Sequence, residues 1–83
     1  MHVSLEFKKK IFMWNAFDDE TKGNILGDLC INNKYQDLKY LIEKVKGIDV
    51  NIKNEHDWTP LHEASVNGHT EIVKLLKQYG AKG

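Results

Sequence analysis

Residues 57–81 constrain this chain more than any other stretch: Asp-Trp-Thr-Pro-Leu-His-Glu-Ala-Ser-Val-Asn-Gly-His-Thr-Glu-Ile-Val-Lys-Leu-Leu-Lys-Gln-Tyr-Gly-Ala. They spell two short helices with their start and stop signals. Thr59 is a good N-cap, its hydroxyl placed to accept the backbone N–H of His62. Pro60 takes the first helical position, where a missing N–H costs nothing and φ is already helical. The helix runs through Leu61, Ala64 and Ser65 to Gly68, a residue suited to a left-handed stop. A second helix starts near His69–Thr70, with Glu71 set favourably against the N-terminal dipole. Ile72, Val73, Leu75, Leu76 and Tyr79 form one broad apolar stripe, Lys74 and Lys77 lie off its centre, and Gly80 ends it. Such a pair cannot bury its apolar faces alone and needs a similar pair stacked against it.

A weaker copy lies 34 positions upstream. Asp57 maps to Gly23, Ala64 to Cys30, Ile72 to Leu38, Leu75 to Leu41 and Leu76 to Ile42. The copy ends Gly47-Ile48-Asp49-Val50-Asn51, and its second helix is one residue longer before the glycine. Ile25 and Leu26 stand where Thr59 and Pro60 stand later, which predicts a first helix without its cap. Gly27 replaces Leu61 and predicts a hole or a local shift. Asp28 replaces His62, Lys34 replaces Gly68, and Asp18 to Lys22 reads as a loop.

The Thr-Pro-Leu-His string, the Gly-Ile-Asp-Val-Asn junction and the period together resemble the ankyrin repeat, whose usual period is about 33 residues. The resemblance implies an all-α solenoid of paired antiparallel helices, with Asn51 to Trp58 as a β-hairpin finger. The ankyrin pattern usually has glycine where Asp57 stands, and aspartate tolerates the left-handed turn better than most residues. Two repeats result, about 21–53 and 54–83, after an N-terminal segment 1–20. The departures in the first repeat fit a terminal or capping repeat, one side of which faces solvent. His62 is expected, by resemblance, to make a hydrogen bond within its turn.

Residues 3–17 do not resemble a repeat. Phe7, Ile11 and Trp14 fall at i, i+4, i+7, with Leu5 and Phe12 adding width and Ser4 as a cap; the alternation Val3, Leu5, Phe7 also permits a short strand. As a helix the segment is either a cap on the first repeat or a separate docking element, because Phe7, Phe12, Trp14 and Phe17 are a heavy apolar load to leave exposed. Lys8-Lys9-Lys10 is either a solvated helix face or part of a nuclear signal.

Composition narrows the function. The 83 residues make one small domain of modest stability. Twelve Lys and Arg balance 12 Asp and Glu, which argues against nucleic acid or an anionic membrane as a partner. A single cysteine rules out an internal disulfide and fits the cytoplasm or the nucleus. No apolar run has the length of a membrane span or a signal peptide. Cys30 falls at a core position with no histidine in its repeat. The histidines His2, His56, His62 and His69 lack neighbouring ligands at metal spacing. Asp18 and Asp19 are adjacent rather than paired across a cleft. No catalytic residue, cofactor or metal is therefore expected.

Ankyrin domains bind through fingertips and the concave face of the first helices. Carried over, this points to His56, Asp57, Trp58, Glu63, Val66 and Asn67 in the second repeat, and to Lys22, Asn24, Leu29, Asn32 and Asn33 in the first. Asn32, Asn33 and Asn67 either bond a partner's backbone or end a helix, and Trp58 either anchors a partner or packs on the finger. The expected function is a protein–protein interaction module, a partner protein or peptide being held by those residues. An alternative is an accessory or inhibitory subunit docking on an enzyme through the N-terminal helix. Trp-Thr-Pro-Leu-His-Glu-Ala also resembles chromatin-associated ankyrin domains that read histone tails, in which Trp58 and Glu63 match the contacting residues while Asn54 and Val66 depart. Because the chain stops at Gly80-Ala81-Lys82-Gly83, where a further repeat would begin, its last flank is expected to be covered by a partner or by self-association, or the sequence to be truncated.

Overall fold

Ser4, Asp18 and Thr59 each begin a helix by accepting a backbone N–H three residues on, from Phe7 (3.2 Å), Thr21 (2.8 Å) and His62 (3.2 Å). The structure, a computed structural model, describes residues 3–82. The helices are α1 (Leu5–Phe12), α2 (Asp19–Ile31), α3 (Tyr35–Lys44), α4 (Pro60–Val66) and α5 (Thr70–Gln78), with a 3₁₀ turn at Trp14–Ala16. Helix wins over strand at the N-terminus because Ser4 caps it and Glu6 sits in its first turn.

The cap on Asp18 overturns two expectations. Residues 19–22 are helical rather than a loop, and the first helix of the upstream repeat is capped, seven residues earlier than the position of Ile25 suggests. Asp19 and Glu20 then lie in the first turn, where the helix dipole favours them. α2 reaches 13 residues against 7 in α4.

Three helix ends share one geometry. The N–H groups of Lys34, His69 and Ala81 reach back to the carbonyls of Leu29, Ala64 and Leu76, each at 2.9 Å. The residues just before them, Asn33, Gly68 and Gly80, have φ of 55°, 72° and 99°. Asn33, not Lys34, thus takes the part that Gly68 plays, because asparagine enters the left-handed region more cheaply than lysine. The buried faces nonetheless keep the 34-residue spacing: Leu38, Leu41 and Ile42 in α3 match Ile72, Leu75 and Leu76 in α5. α3 is one residue longer than α5, at 10 against 9.

The helices stack in two rows. α2 lies beside α4, each turned back onto its own partner, α3 or α5. In the second row α3 packs on α5 and α1 packs on α3. α1 therefore stands where the second helix of a preceding repeat would stand. The core between the rows holds Leu26, Cys30, Leu38, Leu41, Ile72 and Leu76, with Val50 below and Phe7 and Trp14 closing the α1 end. Each fully buried Leu or Ile there contributes about 1.5–3 kcal/mol. Tyr79, expected on the α5 stripe, caps the helix end and is largely exposed.

The finger between the repeats is a turn and not a β-hairpin, since no strand occurs among the described residues. It is closed by two backbone bonds, Asn54 N–H to the Trp58 carbonyl (2.9 Å) and Asp57 N–H to the Asn54 carbonyl (3.0 Å). Asp57 takes the left-handed φ of 65° at its tip, as its position predicts.

Candidate functional site

The side chain of Asn54 organises the finger. Its Oδ1 accepts the backbone N–H groups of His56 (2.9 Å) and Trp58 (3.1 Å), and its Nδ2 donates to Glu63 Oε1 (2.9 Å) on α4. From the other side Asn24 on α2 accepts the Glu55 N–H at 3.1 Å. Both helices of the concave row therefore hold the finger. Gly23 lets it approach: a β-carbon there would overlap the Lys53 carbonyl. Lys53 and Asp57 add an exposed ion pair at 3.5 Å.

Between α2 and the finger lies an open groove of about 270 Å³, lined by Asn24, Gly27, Asp28, Ile31, Asn54, Glu55, His56 and Glu63. Gly27 leaves no hole in the core. Asn54 and Glu63 cover it, a β-carbon there lying 3.4 Å from Asn54 Nδ2. Trp58 does not line this groove; it is 40% exposed, with the His62 ring edge-on at 4.3 Å between centres. The hydrogen bond in that turn is made by the His62 backbone N–H, and the imidazole itself is exposed.

The predicted contact residues divide in two. His56, Asp57, Trp58, Val66, Asn67, Asn32 and Asn33 are exposed, while Lys22 and Asn24 are half-buried. Leu29 is buried in the core. Glu63 is only 5% exposed, drawn in by the Asn54 bond. Asn32 and Asn67 end helices in the same way, their Nδ2 groups donating to the carbonyls of Asp28 (2.9 Å) and Glu63 (2.8 Å). Asp28, Ile31 and Glu55 were not singled out as contacts. Asn24, Asp28 and Ile31 at i, i+4, i+7 of one helix are the signal for that face, once α2 is known to begin at Asp19.

Cys30 is fully buried, and burial, with the nearby Glu63 charge, pushes its thiol up to about 12, far from the thiolate a nucleophile needs. His69 Nε2 lies 3.0 Å from the Ile31 carbonyl and joins the turn of the second repeat to the end of α2. His2 lies outside the described residues. Among the described residues no group of three or more His, Cys, Asp or Glu is placed to hold a metal ion, and no helix is long and apolar enough to cross a membrane.

Helical hairpins stacked in two rows, with a finger projecting over a concave groove, define a repeat protein built to present a surface. The family model for ankyrin repeats (3 copies) matches residues 6–83, and the chain belongs to this family. Ankyrin repeats are in general protein–protein interaction modules, a non-catalytic fold. The match includes α1, although residues 3–17 read unlike a repeat, and its three copies exceed the two seen in the sequence. The chain is similar to SMC5-SMC6 complex localization factor protein 1 of Homo sapiens (45% identical over 62 residues) and of Mus musculus (40% over 62 residues). It is also similar to palmitoyltransferase AKR1 of Kluyveromyces lactis (40% over 74 residues). These alignments take in 69%, 69% and 88% of the chain but only 6%, 6% and 10% of the relatives, so it spans a small part of their length. No solved structure matches it significantly.

Proposed function

We propose that this chain holds a basic segment of a partner protein in the groove between α2 and the finger, with the exposed Trp58 of the same finger as a further contact. One observation carries the reading. Asp28, Glu55 and Glu63 line the groove with no lysine or arginine among its lining residues, in a chain whose net charge is zero. Carboxylates gathered in a concavity attract and orient a cationic segment, and an exposed aromatic on the same finger adds contact area when a partner covers it. His56, Asp57 and Val66, with the helix ends at Asn32, Asn33 and Asn67, offer further exposed contacts. The recognising unit is the two repeats, whose first helix begins at Asp19 rather than at residue 21, with α1 and the Trp14–Ala16 turn as their cap.

Titration calorimetry of the whole chain with a synthetic lysine- and arginine-rich peptide tests this. Asp28→Asn combined with Glu55→Gln is expected to weaken binding about ten-fold and to flatten its salt dependence. An unchanged affinity, or equal binding of a glutamate-rich peptide, would refute the groove reading.

A narrower reading makes the basic segment a histone tail. Trp58 and the acidic groove suit such a tail, and the likeness to a protein named for localizing the SMC5-SMC6 complex supports it. The buried Glu63 would then serve by holding the finger more than by direct contact. A nuclear location goes with this reading, a nuclear or cytoplasmic one with the broader proposal. Histone-tail peptides that bind no better than scrambled peptides of equal charge would sink it.

A further inference from the structure

We propose that the outward face of α1 is a second docking surface, built for an acidic amphipathic segment of a partner protein. α1 has two faces with different work. Val3, Phe7 and Trp14 are buried, and Ile11 and Phe17 pack partly against the core, so this side closes the end of the stack. A cap needs nothing more. Yet Leu5, Phe12 and Met13 point the other way, at 67%, 91% and 52% exposure. They line a shallow groove of about 290 Å³ together with Lys8 and Lys9.

The charge around this groove selects the occupant. α1 carries Lys8, Lys9 and Lys10 against a single acid, Glu6, which reaches Lys9 only through an exposed pair at 3.8 Å. Lys8 lies 5.9 Å from the centre of the Tyr40 ring, and Lys44 of α3 lies 5.4 Å from the same ring, so a fourth cation adjoins the patch. An apolar side chain seated between Leu5 and Phe12, with carboxylates beside it, satisfies both the groove and the ammonium groups. A lipid surface fits less well. Helices that lie in a membrane interface keep a continuous apolar face with their lysines on the polar one. Here Lys8 and Lys9 interrupt the apolar strip between Leu5 and Phe12, and insertion would drag their ammonium groups inward. A protein partner can place its carboxylates at that interruption.

None of these residues lines the groove of α2 and the finger, so the two surfaces are tested separately. The probe is a synthetic helical peptide with leucine on one face and glutamate flanking it, followed by fluorescence anisotropy on the whole chain. Phe12→Ser, and Lys8→Glu with Lys9→Glu, are each expected to weaken binding about ten-fold or more while the helical signal is unchanged, since these side chains are exposed. Affinities within about two-fold across the variants would overturn the proposal. So would equal binding of the same peptide with lysine in place of glutamate, or capture by phosphatidylserine vesicles in preference to the acidic peptide. If Phe12→Ser unfolds the chain, Phe12 belongs to the core and the proposal also fails.

Discussion

Asn54 Nδ2 donates to Glu63 Oε1 at 2.9 Å, and this bond ties the finger to the helix that follows it. The same carboxamide accepts two backbone N–H groups of the finger, so its removal leaves three bonds unmade. Asn54→Ala is expected to lower the unfolding free energy by roughly 1–3 kcal/mol, most of it from leaving the nearly buried Glu63 carboxylate without its donor. Glu63→Gln keeps an oxygen able to accept that bond and is expected to cost less. Urea denaturation of the two variants decides it; equal losses would show that the pairing carries little of the stability.

Gly23 and Gly27 lie one helical turn apart on α2 and predict opposite outcomes. A β-carbon on Gly23 meets the Lys53 carbonyl and the Asn54 backbone, neither able to move without displacing the finger. On Gly27 the nearest atom is the end of the Asn54 side chain, at 3.4 Å. Gly23→Ala is therefore expected to destabilise by roughly 1–3 kcal/mol, as overpacking does. Gly27→Ala, in a helix interior where alanine is favoured by up to about 1 kcal/mol, is expected to be neutral or mildly stabilising. Thermal melts that rank the two the other way would contradict the close approach of finger and helix.

The second repeat was legible because its signals are local: a Thr-Pro start, a glycine stop and one apolar stripe fix each helix within its own residues. The first repeat was legible only in its buried positions. Its start hides in Asp18, whose acidic neighbours read as a loop until Thr21 closes the cap. Its turn hides in Asn33, which reads as polar surface until a left-handed φ is required of it. The site was harder still. Trp58 stands out by residue type, but Glu63 differs from any exposed glutamate only by its bond to Asn54, a contact across the finger that no spacing rule encodes. The same limit applies to α1, where periodicity shows an apolar load without showing that Phe7 turns inward and Phe12 outward.

The cap on α2 has a pH signature. Hydrogen bonds from the Thr21 side chain, and then from its backbone N–H, hold the Asp18 carboxyl below its ordinary value of 3.8. A depressed folded pKa contributes stability that is full above the unfolded pKa and is lost as pH falls through the folded one. Asp18→Asn keeps a capping oxygen and loses the charge. The advantage of the native chain over this variant is expected to be present above about pH 4 and to vanish in more acidic solution, as read from denaturation midpoints across pH. A gap that persists unchanged at low pH would mean the carboxylate charge is not its source.

Cys30 reports on opening of the stack. Its side chain is fully buried and its thiol is pushed up to about 12, so the native protein offers a reagent neither access nor thiolate. Labelling by a thiol reagent at about pH 8 is expected to follow the unfolding rate, to reach completion in urea, and to slow when a ligand stabilises the fold. Because its raised pKa favours the neutral thiol in the folded chain, the contribution of Cys30 is full below the ordinary thiol value of 9.0 and declines as pH rises toward 12. Fast labelling of the native chain would place Cys30 at the surface and contradict the packing of α2.

Trp58 separates folding from recognition. Its ring is 40% exposed and touches His62 edge-on, while the bonds that fix the finger run through its backbone and through Asn54. Those bonds survive Trp58→Ala, which is expected to leave the helical circular dichroism intact and to shift the melting point little. Binding of the basic peptide is expected to fall by more than about ten-fold, since truncating a buried aromatic anchor commonly costs 2 kcal/mol or more. His62→Ala, which removes only the edge contact, is expected to weaken binding by a smaller factor. A Trp58→Ala variant that binds as tightly as the native chain would move recognition away from the fingertip and leave it to the carboxylates of the groove alone.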